Sequence, residues 1–234
     1  SFENSWDVYA MSTYNTITSI AESPKNINIL YIGTDDGLIQ ATKDGGKTWE
    51  QTDITSLPGV PERAYINDIK ADLFDENKVY MAVDAHKQGD YTPYLFVSIN
   101  GGKSWKSITE GIAEKNYVWR IVQDHVEPSL LFIGTEFGVY FSNNGGEKWK
   151  QLKGGLPTIS FRDLVIQRRK NDLVAASFGR SFYILDDYSF LRHLSAEILE
   201  KEAALFPVRD AYLFRPRNDG RQKSGSLGGQ HFYG

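Results

Sequence analysis

The chain has 234 residues, 41% of them hydrophobic and 24% charged, and a net charge of −4. That balance suits a globular protein with a sizeable core, and it lends little support to nucleic-acid binding, since the densest basic run is Arg168-Arg169-Lys170. Cysteine is absent, which excludes disulfides and thiolate metal sites, and no apolar run approaches the ~18 residues that a membrane helix needs.

The sequence opens Ser1-Phe-Glu-Asn-Ser-Trp6 without a leader segment and reads as cut from something longer. Residues 1–14, with weak alternation in Trp6-Asp-Val-Tyr-Ala-Met11, read as the last strand of an earlier unit. Four repeats follow, near 15–64, 65–116, 117–159 and 160–188. Each begins with an alternating strand A: Ile17-Thr-Ser-Ile20, Ile66-Asn-Asp-Ile69, Val118-Trp-Arg-Ile121 and Phe161-Arg-Asp-Leu164. Strand B follows at Ile29–Gly33, Val79–Val83, Leu130–Gly134 and Leu173–Ala176, and strand C at Leu38–Thr42, Tyr94–Ser98, Gly138–Ser142 and Ser181–Leu185. The first three repeats close with a tight turn, a tryptophan and a strand D: Trp49–Thr52, Trp105–Ile108 and Trp149–Leu152. Four short antiparallel strands at this period describe a β-propeller blade, which must stack on its neighbours to bury a face. The expected fold is therefore all-β, about four blades of a larger ring, with closure as a four-bladed ring as the alternative.

The second repeat carries an enlarged B–C loop, Ala85-His-Lys-Gln-Gly-Asp-Tyr-Thr-Pro93, where binding tends to be placed. After Asp187 the pattern stops. Residues 189–215 read as a short helix and a closing or exit strand (Ala204–Phe214), and residues 216–234 as a flexible tail or linker.

The repeated turn has its own chemistry. Thr42-Lys-Asp44-Gly-Gly46-Lys-Thr48-Trp49 recurs as Ser98-Ile-Asn100-Gly-Gly102-Lys-Ser104-Trp105 and Ser142-Asn-Asn144-Gly-Gly146-Glu-Lys148-Trp149. The acceptor at Asp44, Asn100 or Asn144 is placed to take backbone N–H bonds, glycine supplies positive φ, and the indole fills the gap between sheets. These boxes resemble the BNR or Asp-box repeat of sialidases, sortilin-type (VPS10) receptors and some xyloglucanases. Gly33-Thr-Asp-Asp-Gly-Leu-Ile-Gln40 and Ser177-Phe-Gly-Arg-Ser-Phe-Tyr-Ile-Leu-Asp-Asp187 resemble the closing blades of large bacterial "glycosyl hydrolase" and VPS10/sortilin-like proteins. The resemblance implies a protein secreted by, or on the surface of, a bacterium, the rest of its propeller and a further C-terminal domain lying outside this chain. It implies a structural role for the box residues.

Candidate functional residues come from aligning the repeats. Asp35, Asp84, Glu136 and Ser177 fall in one slot at the start of the B–C turn. Thr34-Asp35-Asp36-Gly37 resembles the context of a catalytic acid in xyloglucanase-type propellers, so Asp35 and Glu136 are candidate acid/base residues; each acid capping its own turn is the competing reading. Arg120 and Arg162 offer a carboxylate clamp of the sialidase kind, set against cross-blade salt bridges. Tyr91, Tyr117 and Trp119 offer a sugar-stacking platform, set against core packing. Asp84 and Tyr91 join the two arginines as candidate ligand-binding residues. The four histidines show no metal-ligand spacing and no EF-hand loop is present, so neither metal nor cofactor is expected. The expected role is a glycan- or protein-binding module, with part of a glycoside hydrolase as the alternative.

Overall fold

A computed structural model describes residues 16–211, which form four antiparallel sheets stacked in chain order. Blade 1 comprises β1 (Ile17–Glu22), β2 (Leu30–Thr34), β3 (Leu38–Thr42) and β4 (Glu50–Asp53). Blade 2 comprises β5 (Tyr65–Ala71), β6 (Val79–Ala85), β7 (Asp90–Ser98) and β8 (Lys106–Ser107). Blade 3 comprises β9 (Val118–Gln123), β10 (Leu131–Thr135), β11 (Gly138–Ser142) and β12 (Lys150–Gln151). Blade 4 has three strands, β13 (Phe161–Gln167), β14 (Asp172–Ser177) and β15 (Phe182–Leu185). The strand read over residues 1–14 and the tail over 216–234 lie outside the described residues. No helix among the described residues is long and apolar enough to cross a membrane.

Every blade is a meander with its strands in sequence order, and the inner strands β1, β5, β9 and β13 pack one against the next. Three apolar clusters fill the gaps. Tyr31, Ile39, Ile66 and Met81 lie in the first, Tyr80, Leu95, Ile121 and Ile133 in the second, and Phe132, Phe161, Leu164 and Tyr188 in the third. Strands sandwiched on both sides, such as β6 and β10, are buried throughout and lose the polar alternation of a half-exposed strand. Close approach demands glycine where one blade meets the next: a Cβ on Gly134 would lie 2.5 Å from the Phe161 carbonyl oxygen.

Polar rungs also tie the inner strands together. Thr18 Oγ1 donates to the Ile66 carbonyl (2.7 Å) and Asn67 Nδ2 to that of Val118 (2.8 Å). On the opposite side of the same strands, Asp68 accepts from Arg120 Nη1 and from the Ile121 N–H, each at 3.0 Å, while Arg120 Nε meets Asp163 at 3.0 Å.

The three tryptophan turns share one bonding scheme. Thr42, Ser98 and Ser142 each accept the N–H of the second glycine, Gly46, Gly102 or Gly146, at 2.9–3.0 Å. Asp44, Asn100 and Asn144 each accept the N–H four residues on, also at 2.9–3.0 Å. Asn replaces Asp without loss because the shared requirement is one side-chain oxygen. The indoles differ with their surroundings. Trp149 is buried between blades 2 and 3, its N–H donating to the Ile108 carbonyl at 2.6 Å. Trp105 packs on the cluster between blades 1 and 2, and its N–H finds no acceptor among the described residues. Trp49, with no earlier blade described beside it, is exposed and bonds within its own turn to the Gly46 carbonyl. Removing the Ser142 hydroxyl leaves the buried Gly146 N–H without an acceptor, so Ser142→Ala is expected to lose about 1–3 kcal/mol in urea unfolding, with Ser142→Thr close to wild type.

Four expectations need correction. The insertion at 85–93 is no loose loop: β6 and β7 extend through it, Ala85 pairs with Asp90, and a 3-10 turn (His86–Gln88) closes the hairpin through Gly89 at φ 81°. In blade 4 the β13–β14 hairpin is one residue shorter than its counterparts, with Phe161 opposite Ser177 where Ile17 faces Thr34, Ile66 faces Val83 and Val118 faces Thr135, so Phe178 and not Ser177 occupies the slot of Asp35, Asp84 and Glu136. The N–H groups of Asp35, Glu136 and Phe178 make the same bond, each to the carbonyl just before its inner strand (Thr16, Tyr117 and Ser160). The single helix read over 189–203 is two short pieces, a 3-10 helix (Tyr188–His193) and α1 (Ala196–Leu199). Finally, residues 204–211 form no strand: Leu205 and Val208 are exposed, with no apolar face among the described residues to receive them, and Pro207 cannot donate to a ladder. Residues 212–214 of that expected strand lie outside the described residues.

Candidate functional site

The turns that link strand B to strand C, and the residues that lead into strand A, meet along one rim. Both segments must emerge there because each blade is a meander. The rim therefore collects Asp35, Tyr65, Asp84, Tyr117, Glu136, Arg162 and Phe178 from four blades.

Its centre, across blades 2 to 4, is a run of stacked side chains. Tyr91, on the extended β6–β7 hairpin, lies 6.3 Å from the ring of Tyr117. Tyr117 stacks on His86 (5.1 Å, 12° between planes) and meets Trp119 edge-on at 5.1 Å. The Arg162 guanidinium lies 3.5 Å from the Trp119 ring centre and 4.7 Å from that of Phe178. Arg162 Nε is held by Ser160 Oγ at 3.0 Å, which fixes the plane of the fork over the indole. Tyr91 is 47% and Phe178 70% exposed, so the run is open at both ends.

Carboxylates border it. Asp84 is buried and holds the hairpin, accepting the His86 N–H at 2.8 Å and contacting His86 Nδ1. That contact orients the imidazole against Tyr117. Glu136 accepts the Trp119 indole N–H at 2.9 Å. Burial, then the nearby Glu136 and Asp84 carboxylates, pushes the Tyr117 hydroxyl well above the usual phenol range. Tyr65, which faces Asp84 across β5 and β6, is raised the same way, by burial and then by Asp35 and Asp84. Asp35 accepts the Thr16 N–H at 2.9 Å, so it caps the entry to its own blade.

The candidate residues therefore divide. The structure brings Asp84, Tyr91, Glu136 and Arg162 together with Tyr117 and Trp119. Asp35 stands at the blade 1 end of the rim. Arg120 lies on the other side of its strand, between Asp68 and Asp163, and is not offered to a ligand alongside Arg162. Sequence reasoning passed over His86 and Phe178. The signal for His86 was its place two residues after an acid of the slot; Phe178 was hidden by a β13–β14 hairpin one residue shorter than its counterparts. Among the described residues no group of three or more histidine and acidic side chains is arranged to hold a metal ion.

No known family model matches the chain, and no curated protein matches it either. Solved structures do. The GH74 enzyme of Niastella koreensis aligns at a TM-score of 0.58 and 19% identity over 76% of this chain and 29% of that one. The GH74 xyloglucanase from Xanthomonas campestris aligns at 0.57 and 13% over 74% and 29%. YCF48 bound to a D1 peptide aligns at 0.54 and 19% over 73% and 51%. The chain thus spans from under a third to about half of the length of these proteins. At such identities the likeness is one of fold: the four sheets are blades of a β-propeller.

Proposed function

We propose that the rim across blades 2 to 4 binds a neutral polysaccharide. The observation that carries this reading is the stacked run from Tyr91 through Tyr117, His86 and Trp119, continued by the Arg162 guanidinium to Phe178 and bordered by Asp84 and Glu136. Aromatic faces accept the apolar faces of pyranose rings, and the Glu136 carboxylate and the His86 imidazole, which the buried Asp84 holds in place, offer hydroxyl hydrogen bonds that fix orientation. Three acids on the rim disfavour an anionic sugar, and Arg120 is already neutralised by two aspartates. We also read the three tryptophan turns as Asp boxes and the protein as exported by a bacterium, in line with the resemblance of its sequence. The GH74 likeness is compatible with a glycan ligand, and the D1 peptide on YCF48 shows that a similar fold can instead take a peptide.

The hydrolase reading makes Asp35 and Glu136 acid and base. Both are bonded within their own blades, which favours binding over turnover. Affinity electrophoresis or calorimetry with xyloglucan and other neutral polysaccharides tests the proposal. Tyr91→Ala and Phe178→Ala, at exposed positions, are expected to weaken binding roughly tenfold each without moving the melting temperature. Absence of binding to every polysaccharide tried would refute the proposal. Release of reducing sugar lost on Asp35→Asn would transfer the site to the hydrolase reading.

A further inference from the structure

The sequence holds two Asn-Gly pairs, Asn100-Gly101 and Asn144-Gly145, each inside a tryptophan turn. Asparagine before glycine is the pair most prone to lose its side-chain amide, because a glycine nitrogen carries no side chain beside it as it closes on the asparagine Cγ. Both asparagines are exposed to water.

The folded turn opposes that reaction from two sides. The glycine nitrogen, which must become the nucleophile, is engaged: the Gly101 N–H donates to the Asn77 carbonyl at 2.7 Å and the Gly145 N–H to the Ser129 carbonyl at 2.9 Å. The asparagine oxygen is pinned as well. Asn100 accepts from the Ser104 N–H (3.0 Å) and the Ser98 hydroxyl (2.9 Å), and Asn144 from the Lys148 N–H (3.0 Å) and the Ser142 hydroxyl (2.7 Å). Reaction at either pair needs a local opening that frees the glycine nitrogen and swings the amide onto it.

The two turns differ in what else holds them. In blade 2 the leaving group itself is tied, since Asn100 Nδ2 donates to the Ser104 hydroxyl at 2.8 Å. Gly101 is also buried beneath a side chain of blade 1, with Lys43 Cε and Nζ 3.0 Å from where its Cβ would stand. In blade 3 the place of Ser104 is taken by Lys148, whose ammonium only donates and so cannot receive the Asn144 Nδ2 hydrogens. Gly145 is only half-buried. Trp149 is seated more firmly than Trp105, but the reaction moves residues 144 and 145 and leaves the indole in place.

We propose that Asn144 is a site of spontaneous deamidation in the folded protein and that the blade 2 turn protects Asn100. The Gly145 nitrogen attacks Asn144 Cγ, and the new C–N bond closes a cyclic imide. The Cγ–Nδ2 bond breaks, the Gly145 proton passes through solvent to Nδ2, and ammonia leaves. Water then opens the imide at one of its two carbonyls, giving aspartate or isoaspartate at 144. The products differ in consequence. Blade 1 shows that a carboxylate fits the turn: Asp44 accepts the Thr48 hydroxyl at 2.6 Å and the Thr48 N–H at 2.9 Å. Those bonds, with that of Thr42, hold its carboxyl below the usual carboxylate range. Isoaspartate instead adds a methylene to the backbone between the side-chain acceptor and the glycine pair. The bonds to the Lys148 and Gly146 N–H groups then lose their common register, and the turn that seats Trp149 between blades 2 and 3 is loosened.

The test keeps the folded 234-residue chain at mildly alkaline pH and maps its peptides by mass spectrometry over time, with the chain in urea as the reference without turns. In urea the two pairs are expected to react alike. In the folded chain Asn144 is expected to react about fivefold faster than Asn100, the worth of one hydrogen bond on the amide. Exchanging the fourth residue of the turn should exchange the behaviour: Lys148→Ser slows Asn144 and Ser104→Lys speeds Asn100, each about fivefold and each at an exposed position. Asn144→Asp is expected to unfold at the wild-type urea midpoint, whereas the isoaspartate form, separated by ion exchange, unfolds at a lower one. Equal rates at the two pairs in the folded chain, faster reaction at Asn100, no reaction at Asn144, or indifference to both exchanges overturns the proposal. Saccharide binding at the rim stands or falls separately from this result.

Discussion

Asp124→Ala is expected to lower stability by about 3–5 kcal/mol, the cost of stranding a buried cation by removing its partner. Asp124 is fully buried at the end of β9, and its bonds to Arg192 and Tyr188 tie the segment after blade 4 to blade 3. Arg192 grips it with Nε at 2.7 Å and Nη2 at 2.8 Å, and the buried Tyr188 hydroxyl donates to it at 2.6 Å. The Glu127 N–H adds a fourth bond at 2.8 Å. Burial pushes the carboxyl up, but the bonds from Arg192, Tyr188 and Glu127 outweigh it and hold the group below the usual carboxylate range. The sign of the pH dependence follows. As pH falls through and below the ordinary aspartate value near ~4, the unfolded chain takes up the proton more readily than the folded one, so stability drops. At neutral pH the contribution is fully present. Urea unfolding of wild type and Asp124→Asn between pH 3 and 7 checks this: wild type should lose more stability on acidification. Parallel curves would remove Asp124 from the account.

Arg120→Ala is the second large effect, again about 3–5 kcal/mol, or roughly 10 °C in melting temperature for a domain of this size. Arg120 bridges Asp68 of blade 2 and Asp163 of blade 4 across its own blade, so its loss leaves Asp68 buried without its cation. Burial pushes the Asp68 carboxyl up, and the Arg120 guanidinium pulls against it. Replacing both members with apolar residues, Asp68→Leu with Arg120→Met, should recover part of the loss, because no orphaned charge remains. A single-variant loss below about 1 kcal/mol would contradict this assignment.

The repeat was legible because its punctuation is chemical. A Ser or Thr, an Asp or Asn, a glycine pair and a tryptophan recur at fixed spacing since each has one bonding duty in the turn, as Ser142, Asn144 and Gly146 do. The cross-blade salt bridge of Arg120 was among the readings the sequence offered, and alternation along a strand sets Arg162 on the other side. What sequence spacing could not convey was the pairing register of the last blade. The β13–β14 hairpin is one residue shorter than its counterparts, and Phe178 stands in a slot that residue counting assigned to Ser177. The hairpin at 85–93 was hidden by its polar composition. Its pairing is carried by backbone bonds and by Asp84 holding His86, neither of which leaves an apolar pattern. The end strand expected at 204–214 rested on apolar content alone, and apolar residues make a strand only where a partner edge or face receives them.

The central claim is that the rim of blades 2 to 4 is where this protein meets its ligand. The most direct measurement follows the five tryptophan indole N–H resonances by NMR while a xyloglucan oligosaccharide is added. The account predicts that the Trp119 signal, from an N–H held by Glu136 on the stacked run, shifts with saturation. The Trp149 signal, buried between blades and bonded to the Ile108 carbonyl, should stay in place. Saturable binding that leaves Trp119 unmoved would contradict it.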